Sequence, residues 1–432
     1  MQPGARLAAA IEILDEVELR HRPVASTLAD WGKAHRFAGS GDRAAIGNLV
    51  YDVHRRKLSL AAQMGADTSR ALVLGAAGRA LALAPAAIEA ACDGGPHAPA
   101  SLTRSESEGL TRTLDQTLPG HVHGDVPEWL WPSFERSFGD RAAAEGQALA
   151  RRATVDLRVN TMKATREKVL KALAGHGAIA TPLATLGVRL PAPEGPGRTP
   201  NVEADAAHGK GWFEVQDEGS QIAAALSGAG PRQQVMDLCA GAGGKTLAMA
   251  AAMHNTGQIY AYDSDKGQLR PIFERLKRAG VRNAQVMNAG NRVELDTIAG
   301  RFDVVLVDAP CTGSGTWRRR PDAKWRVTPQ NLAQRETDQR DVLDLARPLV
   351  KPGGRLVYVT CSVLPEENSE QVAQFLGRAP EFSIVPTAVA WTATLGGAAP
   401  ASADGRLDTL LLTPASHMTD GFFIAILQRS PA

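Results

Sequence analysis

The sequence predicts an α/β protein: a doubly wound parallel sheet in the C-terminal half, preceded by a small α+β domain and an all-helical N-terminal region. Residues 211–432 alternate short apolar runs with helical segments, as expected for parallel strands with helices on both faces. Residues 150–210 read as strand, turn and helix, whereas residues 1–140 carry apolar side chains at helical spacing. A length of 432 residues also exceeds what one hydrophobic core usually supports. We therefore expect three domains with these bounds.

Composition limits the kinds of partner. Hydrophobic residues make up 44% of the chain and the formal net charge is only +2, so affinity for nucleic acid has to come from local patches. No run of about 18 apolar residues is present, and charges interrupt the N-terminus too early for a signal peptide. We expect a cytoplasmic monomer that does not bind membranes.

The cysteines are few and scattered. They are Cys92, Cys239, Cys311 and Cys361, which fits neither a disulfide framework nor zinc-ligand spacing. We expect reduced thiols and no metal site. Cys92 lies in an alanine-rich helical stretch and is predicted to be a small core residue.

The N-terminal region supplies helices and then a connection. Apolar side chains recur at helical spacing from residue 8 to residue 17. Residues 92–126 are rich in Gly, Pro, Ser and Thr and predict a surface linker. Trp129 and Trp131, which follow, are expected to pack between domains.

The second segment, residues 150–210, changes character. Alternating apolar residues over 155–159 predict a strand, and Thr165 can cap the helix that follows. Seven basic residues against two acidic ones between Arg151 and Lys171 suit phosphates, although a solvated helix face would look the same. The Pro/Gly-rich residues 191–209 predict an exposed loop.

A glycine-rich loop follows the first strand of the predicted parallel sheet. Glycines let the backbone approach a ligand, and the helix that begins after them favours an anionic group. The loop consists of Cys239, Ala240, Gly241, Ala242, Gly243, Gly244 and Lys245. Asp263 follows the second strand, where a carboxylate can accept hydrogen bonds from ribose hydroxyls. Both a dinucleotide and S-adenosylmethionine are compatible with this pattern.

A second loop combines a carboxylate, a thiol and a basic stretch. The apolar run 304–307 predicts a buried strand that ends at Asp308, and Cys311 lies in the loop beyond it. The basic and aromatic side chains that follow are Trp317, Arg318, Arg319, Arg320, Lys324 and Trp325. Cys361 directly follows another strand, so it is expected to face the same crevice as Asp308. This combination favours chemistry on a polyanion.

These loops resemble a known family. CAGAGGKT is similar to the CAAPGGKT loop of the Sun/Nop family of RNA 5-methylcytosine methyltransferases, and DAPCTGSG and VTCS match two further motifs of that family. The segments LRVNTMK, GWFEVQDEGSQ, RRRPDAKW and DGFFIAIL extend the resemblance over residues 150–432. GDRAAIGNLVYDVHRRKLSL resembles the NusB-like helical domain of one group of bacterial rRNA methyltransferases. The resemblance implies a Rossmann-like methyltransferase domain, a small RNA-binding domain, S-adenosylmethionine as cofactor, and RNA, specifically small-subunit rRNA, as substrate.

The same resemblance implies three catalytic roles. Carbon 5 of cytosine is a poor nucleophile, and a thiolate that adds to carbon 6 activates it. Cys361 is implied as this nucleophile and Cys311 as the group that assists product release. Asp308 would hydrogen-bond the base, which asks for a protonated, buried carboxylate. Lys245 would lower a thiol pKa or orient the base.

The resemblance also implies a cofactor site. It comprises residues 239–245, Asp263 and Asp308, together with an aspartate that the family has after its third strand. Here only Asn288 and Asn291 are available, and Asn288 is the preferred candidate. Gly241 and Ala242 replace the usual Ala-Pro, which loosens the loop while keeping its backbone donors.

The basic side chains suggest how RNA would be held. Arg318 to Arg320, Lys324 and Arg158 are candidates for contacts with the phosphates that flank a flipped-out base. Trp317 and Trp325 could stack on bases or pack in the core. His417 and Asp420 are expected to be structural.

Four alternatives stay open at this point. The two thiols could exchange roles, and the substrate could be tRNA. A catalytically silent RNA-binding assembly factor is a third possibility, but it would be expected to lack one of the three catalytic residues. A nicotinamide-dependent oxidoreductase is the fourth, although it has no need of twin cysteines.

Overall fold

The computed structural model describes residues 1–431. The N-terminal helices pack around a core of aliphatic side chains, with Leu7, Ile46, Leu49 and Leu74 almost completely buried. The helices before the first strand are α1 (Pro3–Arg20), α2 (Val24–Ala34), α3 (Ser40–Arg55), α4 (Lys57–Met64), α5 (Ser69–Leu81), α6 (Pro85–Ala91), α7 (Arg104–Thr111), α8 (Gly120–Gly124), α9 (Trp131–Phe138) and α10 (Ala142–Leu149). Cys92 lies in the same core, as predicted.

Two expectations for the connecting region are wrong. The predicted linker, residues 92–126, contains α7 and α8, because Thr103 and Glu106 form a capping box that stabilises a short helix in a polar sequence. Trp131 is half-buried against the core of the C-terminal domain, but Trp129 is exposed and does not pack between domains. Polar composition alone therefore gave a misleading impression of a structureless linker.

The small domain is an antiparallel sheet with one main helix. Its strands, in the order β2-β3-β1-β4, are β1 (Val155–Val159), β2 (Ile179–Ala180), β3 (Gly187–Leu190) and β4 (Phe213–Val215), and its helices are α11 (Arg166–Ala172) and α12 (Ala206–Gly209). Thr165 caps α11 through its side chain, as predicted. The sheet extends past residue 210, because β4 pairs with β1.

The C-terminal domain alternates strands and helices as the sequence predicts. Its helices are α13 (Glu218–Leu226), α14 (Gly244–Ala252), α15 (Lys266–Leu269), α16 (Ile272–Ala279), α17 (Arg292–Asp296), α18 (Ala323–Arg326), α19 (Pro329–Ala346), α20 (Ser369–Arg378), α21 (Thr387–Thr394) and α22 (Pro414–His417). Its strands are β5 (Gln234–Asp237), β6 (Gln258–Ala261), β7 (Ala284–Val286), β8 (Phe302–Asp308), β9 (Val350–Thr360), β10 (Phe382–Val385), β11 (Leu410–Leu412) and β12 (Phe422–Arg429).

The main sheet is doubly wound around β5. Its strands run in the order β10-β12-β9-β8-β5-β6-β7, and the five from β9 to β7 are parallel. The chain moves outward from β5 in both directions, which places a ligand crevice at the carboxyl ends of the strands. Strands β10, β11 and β12 are antiparallel additions at one edge. Since β12 is an apolar run buried on both faces, its sequence looks like that of a parallel strand.

The helical region packs directly on the loop that follows β8. Lys324 Nζ donates hydrogen bonds to the carbonyl oxygens of Arg55 (2.9 Å) and Asp125 (2.6 Å). Trp325 Nε1 donates to His54 O at 2.7 Å, and Arg55 Nη2 donates to Arg318 O at 3.0 Å. The first domain therefore supports a loop of the third. None of the helices within residues 1–431 is long and apolar enough to cross a membrane.

Candidate active site

Two thiols meet at the carboxyl ends of neighbouring strands. In the parallel pair β8 and β9, Asp308 lies opposite Val359, so the segments that leave both strands emerge side by side. Cys311 Sγ and Cys361 Sγ are 3.3 Å apart, although 50 residues separate them in sequence. Both side chains are partly buried. The structure thus brings together the three residues predicted to be catalytic at one edge of the sheet.

The thiol of Cys311 is held in its protonated form. The hydrogen bond with Cys361, together with burial, raises the pKa of the Cys311 thiol well above its ordinary value. A Cys311 that keeps its proton can donate this proton to the sulfur of Cys361 in the hydrogen bond. This arrangement favours Cys361 as the sulfur that carries negative charge.

Asp308 forms an ion pair with Lys245, the last residue of the glycine-rich loop. The side chain of Asp308 is 34% exposed, whereas that of Lys245 is buried. The expectation of a buried carboxylate is therefore wrong, because a third of this side chain faces solvent. Lys245 contacts this carboxylate, and its role in lowering a thiol pKa or orienting the base stays a prediction.

A buried carboxylate that the sequence analysis missed joins the two cysteine segments. Glu367, just after Cys361 in the chain, accepts hydrogen bonds from Thr312 N (2.7 Å), Thr312 Oγ1 (2.5 Å) and Gln339 Nε2 (3.0 Å). Burial raises the pKa of Glu367. Because Thr312 directly follows Cys311, Glu367 fixes the position of that thiol. Nothing in the local sequence pattern distinguishes it from a solvated glutamate.

A second set of polar contacts joins the segments that follow Cys311 and Cys361. Ser314 Oγ and Ser362 Oγ are 2.9 Å apart, and Ser314 Oγ accepts a hydrogen bond from Val363 N at 2.9 Å. Thr360 Oγ1 donates to Asn368 Oδ1 at 2.5 Å. All of these side chains are buried, so this part of the crevice is a preorganised scaffold.

The glycine-rich loop turns tightly between β5 and α14. Gly241 and Gly243 have φ values of +49° and +81°, which only glycine adopts easily. A Cβ at Gly243 would lie 2.5 Å from Ile272 Cγ1, whereas within residues 1–431 no atom beyond the chain neighbours lies within 4 Å of a Cβ built at Gly241. Gly241 N donates to Asp263 Oδ2 at 2.9 Å. The loop and the predicted ribose-binding carboxylate are therefore adjacent, with open space beside Gly241.

Asp237, the last residue of β5, is another polar residue that sequence reasoning missed. It is fully buried, and Thr246 Oγ1 donates to its Oδ2 at 2.6 Å. Its Oδ1 finds no hydrogen-bond donor in the described chain. Burial raises the pKa of Asp237 to about 7. Burial likewise raises the pKa of nearby Cys239 well above its ordinary value, so that thiol is expected to be inert.

The two asparagines after β7 have different surroundings. Asn291 Oδ1 accepts a weak hydrogen bond from Glu294 N at 3.4 Å and caps α17. Asn288 is exposed, and its side-chain contact is a 3.5 Å approach of Nδ2 to Glu294 Oε2. Asn288 is therefore the more available of the two for a ligand.

Most of the predicted phosphate contacts are wrong. Arg318 and Arg319 bind the carboxylates of Asp217 and Asp420, with Arg318 Nη2 2.7 Å from Asp420 Oδ1 and Arg319 Nη2 2.9 Å from Asp217 Oδ2. Asp420 therefore has a structural role, as expected, because it pairs with both arginines. Arg319 and Arg320 are both exposed, but of the three arginines only Arg320 makes no ion pair within residues 1–431.

Three other candidates for RNA contacts also point into the protein. Lys324 and Trp317 are 99% buried, and burial lowers the pKa of Lys324 to about 8. Arg158 is buried and donates to Gln216 Oε1 at 2.6 Å. The sequence cannot distinguish a basic side chain that caps buried carbonyls from one that faces solvent. The RNA contacts predicted for Arg318, Lys324 and Arg158 are therefore wrong, whereas that of Arg320 stays a prediction.

Family models match the two C-terminal domains. A model described as 16S rRNA methyltransferase RsmB/F matches residues 225–428. A second, described as the ferredoxin-like domain of the same group, matches residues 126–194.

The chain is also similar to individual proteins. It is 32% identical over 338 residues to "Probable ribosomal RNA small subunit methyltransferase B" of Synechocystis, covering 76% of this chain and 72% of that one. It is 33% identical to ribosomal RNA small subunit methyltransferase B of Citrobacter koseri, over 60% of each chain.

Solved structures share the fold. The superposition on the crystal structure of PH0851 includes 99% of this chain and 99% of that one, with a TM-score of 0.73 and 25% sequence identity. NSun6 from Pyrococcus horikoshii, solved with SFG, covers 71% of this chain and 99% of its own with a TM-score of 0.62 and 21% identity.

Proposed function

Since the chain belongs to the RsmB/F family of 16S rRNA methyltransferases, we propose that it methylates carbon 5 of a cytosine in small-subunit rRNA with S-adenosylmethionine as methyl donor. The coarser statement, a methyltransferase with a Rossmann-like domain, follows from the family itself. The position on the base and the covalent route rest on the residues of the crevice.

One observation carries the proposal. Cys361 and Cys311 place their sulfur atoms 3.3 Å apart at the carboxyl ends of adjacent parallel strands. Asp308 lies at the same strand ends and contacts Lys245 of the glycine-rich loop. Methylation at carbon 5 needs a nucleophile for carbon 6 and a group that recognises the ring, and both are available next to a cofactor loop.

The residues around the glycine-rich loop fit S-adenosylmethionine. Gly241 faces open space, so a ligand can approach its backbone closely. Asp263 would bind the ribose hydroxyls and Asn288 the adenine, while the N-terminus of α14 would attract the carboxylate of the methionine part. When bound, S-adenosylmethionine supplies an electrophilic methyl group.

The chain's own residues account for activation of the base. The Cys361 thiolate adds to carbon 6, and the electrons of the 5,6 double bond make carbon 5 nucleophilic. Asp308, held by its contact with Lys245, accepts a hydrogen bond from the exocyclic amine of cytosine and holds the ring in place. Once carbon 5 is methylated, its proton is lost to a base, the double bond re-forms and the bond between carbon 6 and sulfur breaks.

The raised pKa of the Cys311 thiol supports Cys361 as the nucleophile and Cys311 as the group that assists product release. Cys311 keeps its proton because its pKa is raised, so it can donate a hydrogen bond to the sulfur of Cys361 as that sulfur leaves. With Cys311 as nucleophile, a thiol whose pKa is raised would have to react. The reversed assignment is therefore the weaker alternative.

Covalent trapping on RNA that contains 5-fluorocytosine tests the proposal. Fluorine replaces the carbon 5 proton that has to leave before the bond between carbon 6 and sulfur can break, so the complex cannot be released. The wild type should form a complex that survives denaturing electrophoresis, Cys361→Ala should form none, and Cys311→Ala should accumulate a complex even with ordinary cytosine. Trapping that survives Cys361→Ala but not Cys311→Ala would reverse the roles. No trapping by the wild type with bound cofactor would disprove the covalent route.

The substrate needs a separate measurement. Bisulfite sequencing of total RNA, compared between strains with and without the gene, should show one 5-methylcytosine of small-subunit rRNA lost. Loss of a methylcytosine from tRNA instead would show that the substrate assignment is wrong while leaving the chemistry intact.

A further inference from the structure

A cavity lies where the helical region meets the start of the small domain. It has a volume of about 580 Å³ and is lined by residues of α3 and α5, by Arg56 between α3 and α4 and by Ala82 after α5. Residues 150–152 and residues 192–196 of the Pro/Gly-rich loop complete the wall. Four arginines contribute to its wall: Arg56, Arg79, Arg151 and Arg152. None of them belongs to the basic stretch that the sequence analysis favoured around residues 318–324.

Only one of these arginines has a protein partner for its charge. Arg152 binds Asp52, with Nη2 2.7 Å from Oδ2, and donates to Gly195 O at 2.6 Å. Asp52 is already shared, because Arg55 Nη1 lies 2.9 Å from its Oδ1. Arg56, Arg79 and Arg151 make no ion pair and no side-chain hydrogen bond anywhere in residues 1–431.

The unpaired guanidinium groups influence one another. Burial lowers the pKa of Arg56, and the positive charge of Arg79 lowers it further. The carboxylates of Asp125 and Asp52 act in the opposite direction, and Arg151 has a smaller lowering effect. The remaining carboxylate in the wall, Glu194, is exposed and makes no ion pair in the described part of the chain. Like charges held together in a concave site repel one another unless an anion binds between them.

We propose that this arginine pocket, defined by Arg56, Arg79 and Arg151, binds a backbone phosphate of the RNA substrate away from the catalytic crevice. Arginine presents paired N–H donors that match phosphate oxygens. The wall contains no aromatic side chain within the described residues, so the pocket is suited to the backbone and not to stacked bases. The inference rests on the proposed function, because it takes RNA as the substrate.

The location gives the pocket a positioning role. It joins two domains, so a bound phosphate would be held by both at once. Asp52 in its wall is bound by Arg55, and Arg55 donates to Arg318 O in the loop that follows Cys311. RNA bound here would therefore contact the C-terminal end of α3, which also supports the loop that follows Cys311.

A double variant tests the pocket. Arg79 and Arg151 are exposed, so Arg79→Ala with Arg151→Ala should fold normally. Arg301→Ala with Arg340→Ala is the matched control, because it removes two exposed arginines without ion pairs in residues 1–431 that do not line the pocket. Fluorescence anisotropy with labelled small-subunit rRNA fragments gives Kd at several salt concentrations.

We expect the pocket variant to raise Kd for RNA about tenfold and to reduce the slope of log Kd against log salt by about one. Its affinity for S-adenosylhomocysteine should equal that of the control, and so should its trapped fraction at saturating fluorocytosine RNA. A Kd and slope equal to those of the control would overturn the proposal. So would a variant that loses thermal stabilisation by inorganic phosphate yet binds RNA like the control, since the pocket would then take a small anion.

The two proposals can fail independently. Anisotropy requires binding and not chemistry, so the pocket can be tested even in a protein that never traps fluorocytosine. A wild type that binds RNA with the expected salt slope but forms no covalent complex would refute the proposed chemistry and leave the pocket standing.

Discussion

Two replacements of Glu367 show whether this buried carboxylate acts by accepting hydrogen bonds or by carrying a negative charge. Glu367→Gln keeps the shape of the side chain. Its amide oxygen can still accept from Thr312 N and Gln339 Nε2, and the Thr312 hydroxyl can rotate to accept from its NH2 group. Glu367→Ala removes both carboxylate acceptors, so Thr312 N and one N–H of the Gln339 amide lose their acceptor, although that amide still donates to Pro310 O.

The expected magnitudes follow from this count. A buried donor left without a partner costs about 1–3 kcal/mol, so the two N–H groups that lose their acceptor in Glu367→Ala should together destabilise the protein by about 2–6 kcal/mol. Glu367→Gln should change stability by less than about 1.5 kcal/mol, because only the extra strength of a charged acceptor is lost. Burial raises the pKa of Glu367, which makes the neutral amide an even closer substitute.

The two variants should also differ in activity. Glu367 fixes Thr312 beside Cys311, so Glu367→Ala should lower the rate of product release and accumulate covalent complex, whereas Glu367→Gln should behave like the wild type. Urea unfolding of the C-terminal domain and trapping kinetics provide the two readouts. Equal stability and equal trapping rates for both variants would refute the role assigned to this carboxylate.

Two further predictions concern the glycine-rich loop and Asp237 at the end of the strand before it. Gly243→Ala should weaken S-adenosylhomocysteine binding at least tenfold in calorimetry, because a Cβ would collide with Ile272, while Gly241→Ala should cost less; equal losses would contradict this. Asp237 has its pKa raised to about 7, so the folded state holds a proton that the unfolded chain releases near pH 4. Stability of the wild type should therefore fall by up to about 4 kcal/mol between pH 4 and pH 7, and Asp237→Asn should flatten this dependence in thermal unfolding. A variant with the same pH profile as the wild type would show that Asp237 is not the group responsible.

The sequence was informative where motifs lie at strand ends. The doubly wound sheet, the capping role of Thr165 and the meeting of Cys311 with Cys361 follow from local patterns and parallel topology, because carboxyl ends of parallel strands share one edge. It was misleading where a side chain's direction depends on another domain. Arg318 and Lys324 look like an RNA-binding stretch until Asp420 and the carbonyl groups of the helical region are placed against them.

Glu367 and the pocket arginines show a related limit. Their importance comes from partners far away in the chain: Gln339 for the carboxylate, and the crowding of Arg56, Arg79 and Arg151 for the pocket. No periodicity or short motif records such a meeting. Local reading of a sequence finds cofactor loops more readily than it finds contacts between domains.

The buried ammonium of Lys324 limits how this protein can be shortened. Its two hydrogen-bond acceptors, Arg55 O and Asp125 O, both belong to the first 140 residues, so a fragment that begins after them would lack both acceptors and would expose a side chain that is buried in the whole chain. Trp325 would lose its acceptor, His54 O, in the same cut. A minimal catalytic fragment would therefore need these two positions redesigned for contact with water before the loop that carries Cys311 could keep its shape.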